Sequence, residues 1–280
     1  MDRGEEIYTL HQKPVEDMVA EARGRLVVVE TLDDLHRHFA RAIVDEIGTN
    51  NRAERATTLI LPVGPTGQYP ILVDMVNEES ISLQNCTFFF MDENADLDGV
   101  EVPEDHPESF RGAMRPTWDA IRPELRPDPE RVVFPTSENL YRLVDMVEAA
   151  GGIDTCYGGV GIHGHVAFNE PQPGIQHTGP RVVDLNAFTM TINAIRAGVG
   201  GDLENFPRRA LTLGMAQCLG AKRIRLYIRN DIPGLQWANT VFRLAVSGEP
   251  GWDYPVTYIR DHSDWMVVTD RNTSEPAEHV

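Results

Sequence analysis

Between Tyr157 and Pro171 the chain reads YGGVGIHGHVAFNEP, placing a glycine-rich turn, His163, His165 and Glu170 directly after a run with strand character. Two imidazoles and a carboxylate in one loop supply groups that move protons near neutral pH, and glycines let the backbone approach a ligand closely. One such turn alone is most simply a connection between core elements. A second polar cluster weakens that reading: FFFMDENADLDG, 88–99, ends a bulky apolar run abruptly in Asp92, Glu93 and Asn94. In open parallel α/β sheets ligands sit outside the carboxyl ends of the strands, so two polar clusters at two strand ends predict one shared small-molecule pocket. The competing reading of Asp92 is a cap on a following helix, a position that Asp favours.

The elements that must position both clusters show as short apolar runs alternating with amphipathic stretches. Strands are predicted at 25–30 (RLVVVE), 57–64 (TTLILPVG), 86–92 (CTFFFMD), 131–135 (RVVFP), 153–161 (IDTCYGGVG) and 223–228 (RIRLYI), with two short ones at VTYI and WMVV. Helices are predicted from about Thr31 to Ile47, at 69–79, after HPES, from a Ser137 cap to about Ala150, and around 235–246; Thr31 and Asp34 read as a capping box. The pattern is that of an α/β fold, doubly wound, with a mostly parallel sheet and helices on both faces, Rossmann-like. Residues 1–24 read as an irregular N-terminal arm, 25–270 as a single α/β domain, and 271–280 as a polar tail. The stretch rich in Gly, Pro and Thr after FNEP reads as a lid.

Four segments carry a resemblance. MDEN at 91–94, HPESF at 106–110, GGVGIHGHVAFNEP at 158–171 and RRALTLGM at 208–215 resemble, in order and rough spacing, the motifs of the glucosamine-6-phosphate deaminase (glucosamine/galactosamine-6-phosphate isomerase) family, more distantly related to the 6-phosphogluconolactonases. The long central motif is highly specific, whereas MDE or HPES alone would be weak. The resemblance implies that Asp92 takes the proton from C2 of an open-chain sugar to give an enediol-type intermediate. It implies that His165 helps open the pyranose ring and that Glu170 orients or assists it; His163, one residue removed from His165 in the same loop, is counted with the catalytic group because two such histidines could share a proton relay. The substrate-binding residues it leads one to expect are Gly64, Thr66, Gly67, Glu93, Gly161, Gly164, Asn169 and Arg181. Such chemistry requires no metal or organic cofactor.

The chain departs from the family pattern at informative places. His163 stands where the family has Asp, exchanging an acceptor-only carboxylate for a group that is neutral or cationic. The loop LPVGPTGQYP, 61–70, has Val63 and Pro65 where the family's LPTGGTP-like loop offers a hydroxyl and a flexible glycine, and proline lacks a backbone donor. No Lys or Arg occurs between Asn230 and Phe242, where the family supplies a lysine from a GSxKA-like turn, and the arginine expected before a later segment falls near Met190. A dianionic phosphate wants a charge-assisted partner, so these losses predict that glucosamine 6-phosphate is a poor substrate unless Arg181, Arg196 or another cation compensates. Three classes stay open: a sugar isomerase acting with or without deamination on an amino sugar phosphate or close relative, a lactone hydrolase in which His165 activates water, and a non-catalytic sugar-binding homologue.

Composition bounds these readings. With 280 residues, 41% of them hydrophobic, the chain can bury a full core, and a net charge of −18 leaves no basic face for a nucleic acid. Cys86, Cys156 and Cys218 lie in apolar surroundings without a CxxC pair, which suggests packed, reduced thiols and a cytoplasmic protein. No signal pattern or membrane-length apolar run is seen, so no membrane partner is expected; a homo-oligomer acting on a small-molecule sugar or sugar phosphate is. His106 and His177 could join His163 and His165 around a metal, but HxH in a loop more often hydrogen-bonds, and no third ligand is fixed by spacing, so no metal is expected.

Overall fold

Alternation along the apolar runs builds a core on both sides of one sheet. Ile60, Phe89, Cys156 and Leu226 pack into one apolar cluster, while Leu59, Leu61, Phe88, Phe90, Tyr157 and Tyr227 pack into the other. Strands buried on both faces are what helices on both sides require. The computed structural model describes residues 2–278.

The strands are β1 (Leu26–Val29), β2 (Thr57–Leu61), β3 (Cys86–Phe90), β4 (Asp92–Ala95), β5 (Val132–Val133), β6 (Thr155–Gly158), β7 (Arg181–Asp184), β8 (Arg209–Thr212), β9 (Arg223–Ile228) and β10 (Trp265–Asp270). Seven form a parallel sheet in the order β1-β10-β9-β6-β2-β3-β5. A small antiparallel sheet, β4-β8-β7, grows from the end of β3. The helices are α1 (Arg3–His11), α2 (Val15–Ala22), α3 (Leu32–Arg52), α4 (Gln68–Glu79), α5 (Phe110–Ala120), α6 (Leu143–Ala149), α7 (Ala187–Ala197), α8 (Met215–Leu219), α9 (Trp237–Ser247) and α10 (Arg271–Ser274). Apolar residues of α3, α4 and α5 cover one sheet face, and those of α2, α6, α8 and α9 the other. The doubly wound, mostly parallel α/β fold expected from the sequence is the fold observed. Thr31 opens α3 with a complete capping box with Asp34.

Four stretches differ from the sequence reading. Residues 1–24 are not irregular: α1 and α2 pack against α9, held by the buried Arg243 guanidinium, whose Nη1 donates to Leu10 O at 2.7 Å and Lys13 O at 2.8 Å. Both helices are short, and an interior cation that collects carbonyls leaves no periodic trace in the segment it anchors. The tail is not wholly solvated either, since α10 buries Thr273 and Ser274, and Arg243 Nη2 reaches Ser274 O at 2.8 Å; 279–280 lie outside the described residues. VTYI reads as a strand from its β-branched and aromatic residues, but Pro255 opens a 3-10 segment, Pro255–Asp261, that Thr257 Oγ1 closes on Tyr254 O at 2.7 Å. Ser137 does not cap a helix. Its N–H donates to Glu101 Oε2 at 2.7 Å, and a 3-10 turn, Leu140–Arg142, precedes α6. Among the described residues no helix is long and apolar enough to cross a membrane.

Candidate active site

Neighbouring strands β2 and β6 send the chain in opposite directions across the sheet, toward β3 and toward β9, which makes their carboxyl ends a topological switch point. A cavity of about 490 Å³ opens there. Its walls include Gly64 and Thr66 after β2, Asp92 after β3, Gly161 and His165 after β6, and Arg229 after β9. The two polar clusters therefore share one pocket.

Asp92 does not cap a helix. Met91 N donates to Leu61 O at 3.0 Å and Leu213 N to Met91 O at 2.8 Å, so the chain steps at Met91 from the parallel sheet into the antiparallel one, where Asp92 pairs with Thr212. The carboxyl is buried at the cavity wall with no hydrogen-bond partner among the described residues. Burial, reinforced by the Glu93 charge, pushes its pKa from 3.8 to about 8. A carboxylate destabilised in this way is a stronger base than an exposed one.

The loop carrying His165 is shaped by glycine. A Cβ on Gly161 would lie 1.8 Å from His165 Nε2, so only glycine leaves room for the imidazole, and Gly164 takes φ +69°, a conformation that favours glycine. Gly161 N donates to His165 O and Gly164 N to Gly161 O, both at 2.9 Å, and Val256 N pins Gly164 O at 2.7 Å. The 3-10 segment read as a strand thus buttresses the histidine loop. Ala167, two residues on, also lines the cavity and holds φ +52°, a strained left-handed value for a side chain with Cβ. His165 is buried; desolvation, then the nearby His163 and Arg196 charges, lowers its pKa to about 3, which keeps the ring neutral. Its Nδ1 is buried without a partner.

Glu170 and His163 lie behind this wall and do not line the cavity. Asn186 joins them: its Nδ2 donates to Glu170 Oε2 and to His163 Nδ1 at 3.0 Å, while its Oδ1 accepts from Phe188 N and Thr189 N and caps α7. His163 Nδ1 is therefore an acceptor, its proton sits on Nε2, and its ring packs on Phe188 at 4.5 Å between centroids. Burial raises the Glu170 pKa, and its Oε1, like His165 Nδ1, is buried and unpartnered. The histidine that replaces the expected aspartate thus tethers α7 by way of Asn186.

The remaining expected binding residues divide. Gly64, Thr66 and Gly161 line the cavity. Glu93 lies beneath α5 instead, accepting from Phe110 N and Arg111 N at 2.8 Å each; with Ser109, which caps the helix, it explains why the MDEN and HPESF motifs occur together. Asn169 staples the loop to the small sheet through Val166 O and Leu213 O, and Arg181 Nη1 binds Asn169 Oδ1 at 2.8 Å, away from the cavity. Gly67 is required by the His36 ring, 2.3 Å from where a Cβ would lie, and Gly164 packs against Tyr254.

Two cavity cations stand outside the motifs. Arg229 ends the run after β9, and Arg196 projects from α7, as does Asn193. The cation-free stretch read from Asn230 to Phe242 begins one residue beyond Arg229. A charged residue at the carboxyl end of a predicted strand was the available clue. Among the described residues no three His, Cys, Asp or Glu side chains gather as a metal site.

The fold and site together define a doubly wound α/β protein with a small-molecule cavity at the carboxyl ends of its parallel strands. The chain is 31% identical to the glucosamine-6-phosphate deaminase of Aeromonas hydrophila over 253 residues, which cover 88% of this chain and 90% of that one. It is 30% identical to that of Aedes aegypti over 262 residues, 89% and 87% of the two chains. A solved monomeric glucosamine-6-phosphate deaminase of the NagB superfamily superposes with a TM-score of 0.77 at 26% identity, covering 90% of this chain and all of that one (100%). A 6-phosphogluconolactonase from Shewanella baltica shares the fold, with a TM-score of 0.61 at 16% identity, covering 88% and 97%. No family model matches the chain. The chain belongs to the glucosamine-6-phosphate deaminase family.

Proposed function

We propose that this chain isomerises an amino sugar phosphate from aldose to ketose with loss of the amine, acting on the open-chain form. Asp92 takes the C2 proton, an enediol-type intermediate forms, a proton is delivered at C1 to leave an imine at C2, and water adds at C2 and expels ammonia to give the ketose phosphate. The observation that carries this reading is Asp92 itself, a carboxyl with its pKa pushed up to about 8, on the same cavity wall as a neutral imidazole. A base near the operating pH and a neutral group able to both give and accept a proton suit C–H abstraction and ring opening.

In this reading His165, kept neutral by burial and lining the cavity, passes a proton between the ring oxygen and the anomeric hydroxyl. In this reading Glu170, whose Oε1 is buried and unpartnered, orients the His165 ring. His163 acts at one remove, through Asn186 and α7. The substrate phosphate requires cations, and Arg196 and Arg229 line the same cavity. We further propose a cytoplasmic homo-oligomer, checked by light scattering of the purified protein.

The test is formation of ammonia and ketose phosphate from glucosamine 6-phosphate, run beside hydrolysis of 6-phosphogluconolactone. Ammonia release with ordinary efficiency supports the reading; lactone hydrolysis alone overturns it.

A further inference from the structure

The small antiparallel sheet sets three side chains in one row. Asp92 in β4 is the register partner of Thr212 in β8, and Thr212 is that of Arg181 in β7; paired residues of adjacent strands project from the same face. Asp92 lines the cavity, whereas the other two reach the loop that carries His165. Thr212 Oγ1 accepts from Phe168 N at 3.1 Å, and Arg181 Nη1 donates to Asn169 Oδ1 at 2.8 Å. The row thus ties the strand of the base to the loop of the imidazole.

Thr212 is the centre of that tie. It is fully buried and does not line the cavity. Its hydroxyl donates to Leu213 O at 3.0 Å, with Met91 O 3.5 Å away. Leu213 O also accepts from Asn169 Nδ2 at 3.0 Å, and Leu213 N donates to Met91 O at 2.8 Å. Hydrogen bonds therefore connect the peptide just ahead of Asp92 with the Phe168 amide, whose one acceptor among the described residues is the Thr212 hydroxyl. That amide follows Ala167, which holds φ +52° two residues after His165. A strained turn of this kind persists only where its surroundings hold it.

We propose that Thr212 is a positioning residue for the reaction: its hydroxyl fastens the Ala167–Phe168 turn to the strand of Asp92 and so sets where the His165 imidazole stands relative to the Asp92 carboxyl. The inference rests on the roles proposed above for those two residues. Thr212 acts through the loop alone and does not touch the sugar. Valine has nearly the same shape but no acceptor, so it leaves the Phe168 amide buried and unpaired, and the strained turn relaxes and carries the imidazole with it.

The experiment has one arm with turnover and one without. With glucosamine 6-phosphate, Thr212→Val lowers kcat by about 10–100-fold and leaves KM within about twofold, because misplaced reacting groups cost rate and not ground-state binding. Thr212→Ser, which returns the hydroxyl without the methyl, restores kcat to within about threefold of the wild type. Thr212→Ala leaves space beside the Phe168 amide where Thr212→Val sets a methyl against it; it lowers kcat in the same direction and guards against a folding defect in the first variant. In the arm without turnover, the His165 ring resonances in proton–nitrogen correlation spectra shift in Thr212→Val and return in Thr212→Ser. Wild-type kcat in Thr212→Val, or a Thr212→Ser as slow as Thr212→Val, overturns the assignment. If the wild type turns over no amino sugar phosphate, the resonances decide: a shift in Thr212→Val that Thr212→Ser reverses upholds the positioning of His165, and only the proposed reaction fails, whereas identical resonances in all three proteins overturn it.

Discussion

Replacing Asp92 by Asn keeps the shape of the side chain but removes its charge and its basicity. Two opposite effects are expected. Turnover should fall by about 10²–10⁴-fold, the usual contribution of a positioned base. The fold should become more stable, because the wild-type carboxyl is held in a place that disfavours its charged form. Its pKa rises from 3.8 in the unfolded chain to about 8 in the folded one. Between those values the folded state keeps a proton that the unfolded state releases, so wild-type stability falls as pH rises through that window. At about 1.36 kcal/mol per pH unit, the penalty at pH 7 is about 4 kcal/mol, and Asn does not carry it. For a chain of this size that corresponds to a rise in Tm on the order of 10 °C. The assay is calorimetry of both proteins from pH 4 to pH 9, beside activity. The gap should be near zero at pH 4, widen with pH, and level off above about pH 8. A constant gap across the range, or a variant that is less stable at neutral pH, refutes the burial argument for Asp92.

Further outcomes follow from the same geometry. In the wild type, kcat/KM should climb with pH through a limb near 8, set by Asp92, with no limb from His165, whose pKa of about 3 leaves it neutral throughout. Gly161→Ala should cut activity by more than about tenfold with little loss of Tm, since the new methyl displaces the imidazole and not the core. Asn186→Ala should release α7 from both Glu170 and His163 and remove the helix cap, which hydrogen exchange would show as faster exchange of the α7 amides beside a loss of about 1 kcal/mol in stability. Arg243→Met should destabilise by about 3 kcal/mol, because three carbonyls that tie α1, α2 and α10 to α9 lose their donor; a denaturant titration checks it.

The parallel sheet was readable because its strands are buried on both faces and so appear as uninterrupted apolar runs, of which TTLIL and CTFFF are the clearest. Asp92 and His165 were readable for a related reason: each follows such a run, and the carboxyl ends of adjacent strands meet. The small sheet was not. β4 is DENA, a polar segment whose strand conformation comes from pairing with β8, more than a hundred residues away, and no local propensity announces it. Glu93 looked like a ligand for the substrate because it neighbours Asp92, yet in an extended chain successive side chains point to opposite sides, and Glu93 turns to the α5 amides. Arg229 was missed for the reverse reason. It is a single charge at the end of an apolar strand, and only the three-dimensional neighbourhood of Asp231, Arg196 and the α4 loop gives it a purpose.

The most direct measurement is solvent deuterium incorporation during turnover of glucosamine 6-phosphate in heavy water, followed by NMR. Removal of the C2 proton by Asp92, exchange of the carboxyl proton with heavy water and delivery at C1 predict ammonia release with deuterium at C1 of the ketose phosphate, and loss of both in Asp92→Asn. Undiminished ammonia release or undiminished deuterium incorporation in Asp92→Asn would contradict the role given to Asp92.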